Sequence, residues 1–341
     1  MPELNIAIDA MGGDNGPSIV IEALEKAVHQ YPDVKFTVVG HQHELTPLLE
    51  KHHLNSHPAV KLIHAEQTIE MDDKPGQSLR SKPESSMRIA LNTLTEGDCQ
   101  AMVSGGNTGA LMTNAYFTLK TLPGVLRPAL MTALPNQTGG KSYLLDLGAN
   151  ASCDSETLFQ FGVMGAVAAE YLSGVPAPKI SLLNMGEEDI KGNDVVRNAA
   201  ARLAQCDHVN YIGFIEGNHL FSGRADVVVC DGFVGNIALK SCEGLATFII
   251  EQMRETLNSH WLYRFFFRFL QKRTHKSWDR LKPDHYNGAS LIGLRHVVIK
   301  SHGSASAGAF YSAIQQAVAE AHEQLPERIK HRVEAVLSEQ L

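Results

Sequence analysis

Five short segments of this chain join glycine to small polar or charged residues, and each comes at or within two residues of the end of an apolar run. They are Asp9-Ala10-Met11-Gly12-Gly13-Asp14, Ser104-Gly105-Gly106-Asn107-Thr108-Gly109, Asp146-Leu147-Gly148-Ala149-Asn150, Asp231-Gly232-Phe233-Val234-Gly235-Asn236 and His302-Gly303-Ser304. Glycine lets a backbone approach a ligand closely, and N–H groups at the start of a following helix attract an anion. Ser104, Asn107 and Thr108 add short donors. Asp231 offers a carboxylate, and Asn236 can cap a helix while presenting an amide to substrate. The candidate cations are Lys82, Arg80, Arg127 and Lys240. Lys82 precedes a helix expected to begin at Pro83, where ammonium and helix terminus would act on one anion. Together the segments point to a site for an anion beside a carbonyl group.

Other chemistries lack their signatures. There is no GxGxxG for a nicotinamide-dependent dehydrogenase and no Walker loop. No GxSxG elbow supplies a nucleophile, so attack by a bound anion is expected rather than an acyl-enzyme. Asp231 or His302 would accept a proton, and the residues do not choose between them. No metal or cofactor is expected. His41, His43, His52 and His53 read as a solvated helix over 42–53, because no acidic or thiol ligand completes a set. Glu187 and Glu188 read as structural. Five cysteines without a CxxC pair read as reduced thiols.

To hold such segments the chain needs strands that end beside one another. Apolar runs place strands at 4–9, 34–40, 60–65, 101–104, 130–134, 143–147, 179–183, 210–215, 226–230 and 296–300. Helical patterns fill the intervals, notably 83–94, 108–119, 155–172, 193–204, 235–258 and 304–323. The alternation predicts a single α/β domain over 1–341, a mostly parallel Rossmann-like α/β/α sandwich. Of 341 residues 44% are apolar and 20% charged, which is ordinary globular composition. The N-terminus lacks a basic region before an apolar run, so a cytosolic protein is expected.

One segment departs from this pattern. The aromatic cluster from Trp261 to Leu270 runs into seven positive charges and one negative between Arg264 and Lys282. That stretch is net +6 in a chain of net −7, leaving about −13 (−7 minus +6) elsewhere. On a helix, Trp261, Phe265, Phe266 and Phe269 share one half, Arg264 and Arg268 fall outside the arc they span, and Lys272 and Arg273 continue the positive charge beyond the cluster. The expectation is an amphipathic helical hairpin at about 243–283, suited to a membrane surface or an acidic carrier protein. Packing against protein, as a dimer interface or lid, is the plainer alternative.

The segments in this order resemble the phosphate acyltransferases of bacterial phospholipid synthesis, the PlsX type. Ile6 to Asp14, Lys82 with Ser85-Ser86-Met87, Gly106 to Ala110 and Arg127 to Leu130 carry the likeness. Leu145 to Asn150, Gly186-Glu187-Glu188 with Lys191-Gly192, Asp231-Gly232-Phe233 with Gly235-Asn236, and Ser301 to Ser304 complete it. Gly105, Ser152 and Val234 depart from the pattern. The resemblance implies a phosphotransacetylase-like fold and transfer of a long-chain acyl group from acyl carrier protein to inorganic phosphate. It also implies a homodimer at the inner face of the cell membrane, handing acyl phosphate to a glycerol-3-phosphate acyltransferase. No nucleic acid partner is implied. A short-chain phosphotransacetylase is the nearest rival and leaves the basic aromatic segment unexplained.

Overall fold

The eleven strands of a computed structural model, which describes residues 4–258 and 286–339, lie in one sheet. The first half contains β1 (Leu4–Asp9), β2 (Val34–Gly40), β3 (Val60–His64) and β4 (Ala101–Ser104). β5 (Ala129–Pro135), β6 (Lys141–Leu145), β7 (Lys179–Leu183), β8 (Asn210–Ile215) and β9 (Val227–Val229) follow. β10 (Ala289–Ile292) and β11 (Val297–Lys300) return to the centre, giving the order β3-β2-β1-β4-β11-β10-β5-β6-β9-β7-β8.

Seven of the ten strand pairings are parallel, so the sheet is mostly parallel as expected, but its two ends run in opposite directions. The reversal comes from β10 and β5, which pair antiparallel with each other and with β11 and β6 respectively. Each half therefore has its own point where successive crossovers leave in opposite directions. One lies between β1 and β4, the other between β6 and β9. Crevices at such points are where parallel α/β sheets bind ligands.

Helices cover both faces. Alternate strand residues Ile6, Ile8, Phe36 and Val38 pack on α1 (Pro17–Gln30), α2 (Gln42–Lys51) and α9 (Ala307–His322). α6 (Ser155–Ser173), α7 (Asp194–Ala204) and α10 (Leu325–Ser338) cover the other half of that face. Ala7, Met102, Leu144, Val228 and Val298 point the opposite way, toward α4 (Ser86–Thr95), α5 (Thr108–Leu119) and the start of α8 (Gly232–Asn258). A strand apolar on both faces, such as Val227–Val229, fits only the interior of such a sandwich.

Three expectations are corrected. The helix placed at 83–94 starts at Ser86, with Ser85 as its cap, and a separate short helix α3 spans Pro75–Ser81. Lys82 is thus the C-terminal cap residue of α3 and does not face a helix N-terminus. Strand β10 escaped prediction because its four residues sit between Gly288 and Gly293, which read as turn punctuation. The last helix, α10, was also missed. The second arm of the hairpin, with Trp261, Arg264, Phe265, Phe266, Arg268, Phe269, Lys272 and Arg273, lies outside the described residues.

Candidate functional site

The five glycine-bearing segments gather into two groups, one at each crossover point. The first group joins the loops after β1, β4 and β11. Gly12 and Gly106 meet so closely that a Cβ on Gly12 would lie 2.5 Å from the Gly106 nitrogen. Asp14 N donates to Gly303 O at 2.8 Å, and Asn15 Nδ2 to Ala305 O at 2.9 Å. Gly13, at φ 106°, makes the turn between these contacts.

Asp9 is buried beneath them, and burial raises its carboxyl pKa. Ser104 Oγ donates to Asp9 Oδ2 at 2.6 Å and accepts from Gly106 N at 3.1 Å. Ser104 therefore braces the loops from below instead of facing a ligand. Asn107 caps α5, accepting from Ala110 N at 3.0 Å, while its amide donates to Met71 O at 2.9 Å and Asp73 O at 3.0 Å. Its role is to pin the 70–73 loop to the start of α5. Thr108 and Gly109 begin α5, where the first N–H groups lack intrahelical acceptors. Gly109 lets α5 approach Pro75 of α3.

Lys82 Nζ donates to Asp73 Oδ2 at 2.5 Å and to Thr68 O at 2.9 Å. This pair holds the Asp73 carboxyl below its usual range. Lys82 thus ties α3 to the 68–73 segment with its charge already matched.

The cation at the centre of the first group is Lys300, which the sequence reading passed over. It ends β11 and is buried, with Nζ donating to Gly105 O at 3.3 Å and to Ser301 O. Burial pushes its ammonium pKa down to about 8, partly offset by Asp9 and Asp14. A lysine closing the otherwise apolar run Val297-Val298-Ile299 was the available signal. His302, two residues on, pairs Nδ1 with Ser304 Oγ at 2.9 Å. Burial and the nearby Lys240 ammonium lower its pKa, so the imidazole is neutral near pH 7.

The second group joins the loops after β6 and β9. Asp146 is fully buried and accepts from Leu130 N, Ala149 N and Asn150 N at 3.0, 3.0 and 2.7 Å. Burial nevertheless raises its pKa. Asn150 Nδ2 donates to Asp146 Oδ2 at 2.9 Å and Pro128 O at 2.8 Å, tying this loop to the one carrying exposed Arg127. Asp231 Oδ1 accepts from Val234 N at 2.8 Å, so Asp231 caps α8, the role expected of Asn236. Asn236 sits in the second turn, exposed, beside Gly148. A Cβ on Gly235 would lie 1.9 Å from Asp146 O, so only glycine lets α8 start here. Cys153 is half-buried among Asp146, Asp231 and Arg127, and burial pushes its thiol up to about 12. It is no nucleophile near neutrality.

The two groups do not form one ring. α8 links them: it starts in the second and carries Lys240 close enough to His302 and Lys300 to lower both their pKa values. Asn236 lies one turn before Lys240 on the same helical face. Away from this line, Glu187 pairs with Arg224 at 2.7 and 3.0 Å, which fits the structural role expected of it.

Residues 4–328 match the model of a family described as fatty acid synthesis protein. A phosphate acyltransferase of Idiomarina loihiensis is 93% identical over 341 residues, the full length of both chains. One from Aeromonas salmonicida is 48% identical over 339 residues, 99% of each chain. Among solved structures, a phosphotransacetylase from Streptococcus pyogenes superposes with TM-score 0.64 at 16% identity, covering 94% of each chain. A branched-chain phosphotransacylase from Enterococcus faecalis gives 0.58 at 16% identity, covering 94% of this chain and 99% of its own. These likenesses show the fold.

Proposed function

From the premise that the chain belongs to the fatty acid synthesis protein family and is a phosphate acyltransferase, we propose that it moves a long-chain acyl group from acyl carrier protein to inorganic phosphate. The observation that carries the reading is the buried Lys300 ammonium beneath three glycine-lined loops, beside the N-terminus of α5. A dianion the size of phosphate finds there a fixed positive charge, unpaired backbone N–H groups and little side-chain bulk.

Phosphate is the nucleophile. One oxygen bonds to the thioester carbonyl carbon, the carbon–sulfur bond breaks, and the carrier thiolate leaves. The proton of monohydrogen phosphate ends on that sulfur. Neutral His302 lies at the same loops and is the residue we assign to relay it. Asp231 is engaged as the cap of α8 at the other group. Asn236, on the face of α8 that carries Lys240, is assigned to the carbonyl oxygen. A preorganised donor of this kind lowers the barrier by roughly 3–4 kcal/mol, and holding the reactants together lowers it by up to about 7–11 kcal/mol.

The carrier is acidic by the same reading, and the basic run Arg264 to Lys282 supplies its complement. That run, with Trp261, Phe265, Phe266 and Phe269, also suits an anionic membrane surface, where a labile lipid product would meet a downstream glycerol-3-phosphate acyltransferase. We place the protein in the cytoplasm, peripheral to that surface, as a homodimer.

The test is thiol release from palmitoyl carrier protein with and without phosphate. Release should require phosphate and match acyl phosphate formed, with acetyl-CoA a poor donor. Release without phosphate, or a covalent fatty adduct on the chain, overturns direct attack. A preference for acetyl-CoA instead makes this a short-chain enzyme.

A further inference from the structure

A cluster of metal-ligating side chains stands outside the acyl-transfer machinery, at the C-terminal end of β2. The segment His41-Gln42-His43-Glu44 leaves the strand and begins α2. Residues two apart on a helix point apart, but His41 precedes the first helical residue with extended backbone at φ −66° and ψ 110°. That single non-helical residue turns its ring back over His43. The two imidazoles stack with centroids 5.5 Å apart and planes 14° from parallel.

Glu44, three residues after His41, completes the set that the sequence reading considered incomplete. Its Oε1 lies 2.8 Å from His41 Nδ1 and 3.6 Å from His43 Nε2. One ligand atom from each of the three residues falls within 4.8 Å of the other two. Tetrahedral ligands about 2.1 Å from an ion stand ~3.4 Å apart, so small side-chain rotations bring these three to an ion.

The surroundings separate this cluster from ordinary surface ion pairs. Nearby histidines are committed elsewhere. His52 Nδ1 pairs with Glu25 at 2.8 Å, while His64 accepts from Gln42 N at 3.2 Å and faces Glu66 at 3.1 Å. His43 Nε2 is drawn toward the shared carboxylate at a distance too long for a hydrogen bond. On the far side, Thr68 Oγ1 lies 3.4 Å from His41 Nε2, placing a hydroxyl beside the imidazole. The backbone of the segment is fixed by Leu45 N and Glu44 N, both donating to His41 O at 3.0 Å.

We propose that His41, His43 and Glu44 form a binding site for a divalent transition-metal ion of the zinc class. Two imidazoles and one carboxylate suit Zn²⁺, Co²⁺ or Ni²⁺ over Mg²⁺ or Ca²⁺, which prefer oxygen ligands throughout. Three protein ligands leave a fourth position for water. The site is independent of the acyl-transfer reading.

The probe is Zn²⁺ alone, titrated by calorimetry into the full-length, untagged, chelator-stripped protein, with Co²⁺ absorption reporting the ligands. One equivalent should bind with micromolar affinity, with Co²⁺ showing tetrahedral bands and no thiolate charge transfer. His43→Gln and Glu44→Gln should each weaken that binding by at least about tenfold, a ligand mattering no less than the groups that orient it. Both side chains are well exposed, at 75% and 43%, so neither variant threatens the fold. His53→Gln, outside the cluster, should bind as wild type. Unchanged affinity in both cluster variants, thiolate bands with Co²⁺, or no binding by the wild-type protein would each overturn the site.

Discussion

A buried ammonium is costly, and among the described residues Lys300 has two carbonyl acceptors, Gly105 O and Ser301 O. Its shifted pKa separates its effect on activity from its effect on stability. The folded state releases the proton near pH 8, whereas the unfolded chain holds it to the ordinary lysine value of 10.5. Between those values the unfolded state binds more protons, so this residue makes stability rise with pH. If the ammonium serves phosphate, kcat/KM for phosphate falls over the same range. Lys300→Met should lower that kcat/KM roughly 10²-fold, the scale of removing one preorganised electrostatic group, and remove the alkaline limb. Cooperative thermal unfolding should persist. A variant with wild-type phosphate kinetics would strike Lys300 from the site.

At the scale of elements, two contacts decide whether strand-end loops and helices meet. The start of α8 passes so close to Asp146 that Gly235→Ala puts a methyl against a backbone carbonyl, with no side chain able to yield. We expect a loss of about 3 kcal/mol or more, measured by denaturant unfolding, with acyl transfer falling as α8 shifts. Unaltered stability and activity would mean that α8 does not seat there. On the other face, fully buried Glu320 of α9 accepts from Ser290 of β10 and from Gln316, both at 2.7 Å. Burial raises its pKa from 4.5 to about 7, so the folded state holds a proton the unfolded chain releases. The associated stability is present below pH 4.5 and lost as pH rises to about 7, amounting to about 3 kcal/mol. Glu320→Gln should flatten that pH dependence, and an unchanged unfolding profile would refute the assignment. These contacts show what the sequence concealed. Apolar runs and glycine turns reveal where strands end, since both are local. That Asp9, Ser104, Asp146 and Asn150 would be consumed bracing loops depends on partners 95 residues away for Ser104 and 22 for Asn150. Polar residues at strand ends look alike whether they face a ligand or the scaffold.

For the molecule as a whole, the reversal of direction across β10 and β5 separates the two crossover points, and α8 has to span the interval. At 1.5 Å per residue its 27 residues reach about 40 Å, far beyond what linking the groups needs. The surplus is largely uncovered: Phe233, Ile237, Leu245, Phe248 and Ile249 are exposed, and within Gly232–Met253 the buried residues are Gly232 and Gly235, both in the first turn. That stretch is long and apolar enough to cross a bilayer. Its first turns, however, pack on the 146–150 loop and reach His302, which suits a helix lying at a surface. A contiguous apolar face of this length needs a cover, either anionic lipid or a second copy of the chain. Leu245→Ser with Phe248→Ser leaves the site segments untouched and tests both covers at once. We expect loss of co-sedimentation with phosphatidylglycerol vesicles, with thiol release from soluble palmitoyl carrier protein retained within about threefold, since surface changes remote from chemistry cost little. Light scattering on the same variant reports the second cover. A monomer that still binds vesicles would assign the face to dimerisation, and the basic aromatic segment alone to lipid. Full vesicle binding by an unchanged dimer would mean that neither covers this face, and the peripheral-membrane reading would then rest only on Trp261 to Lys282.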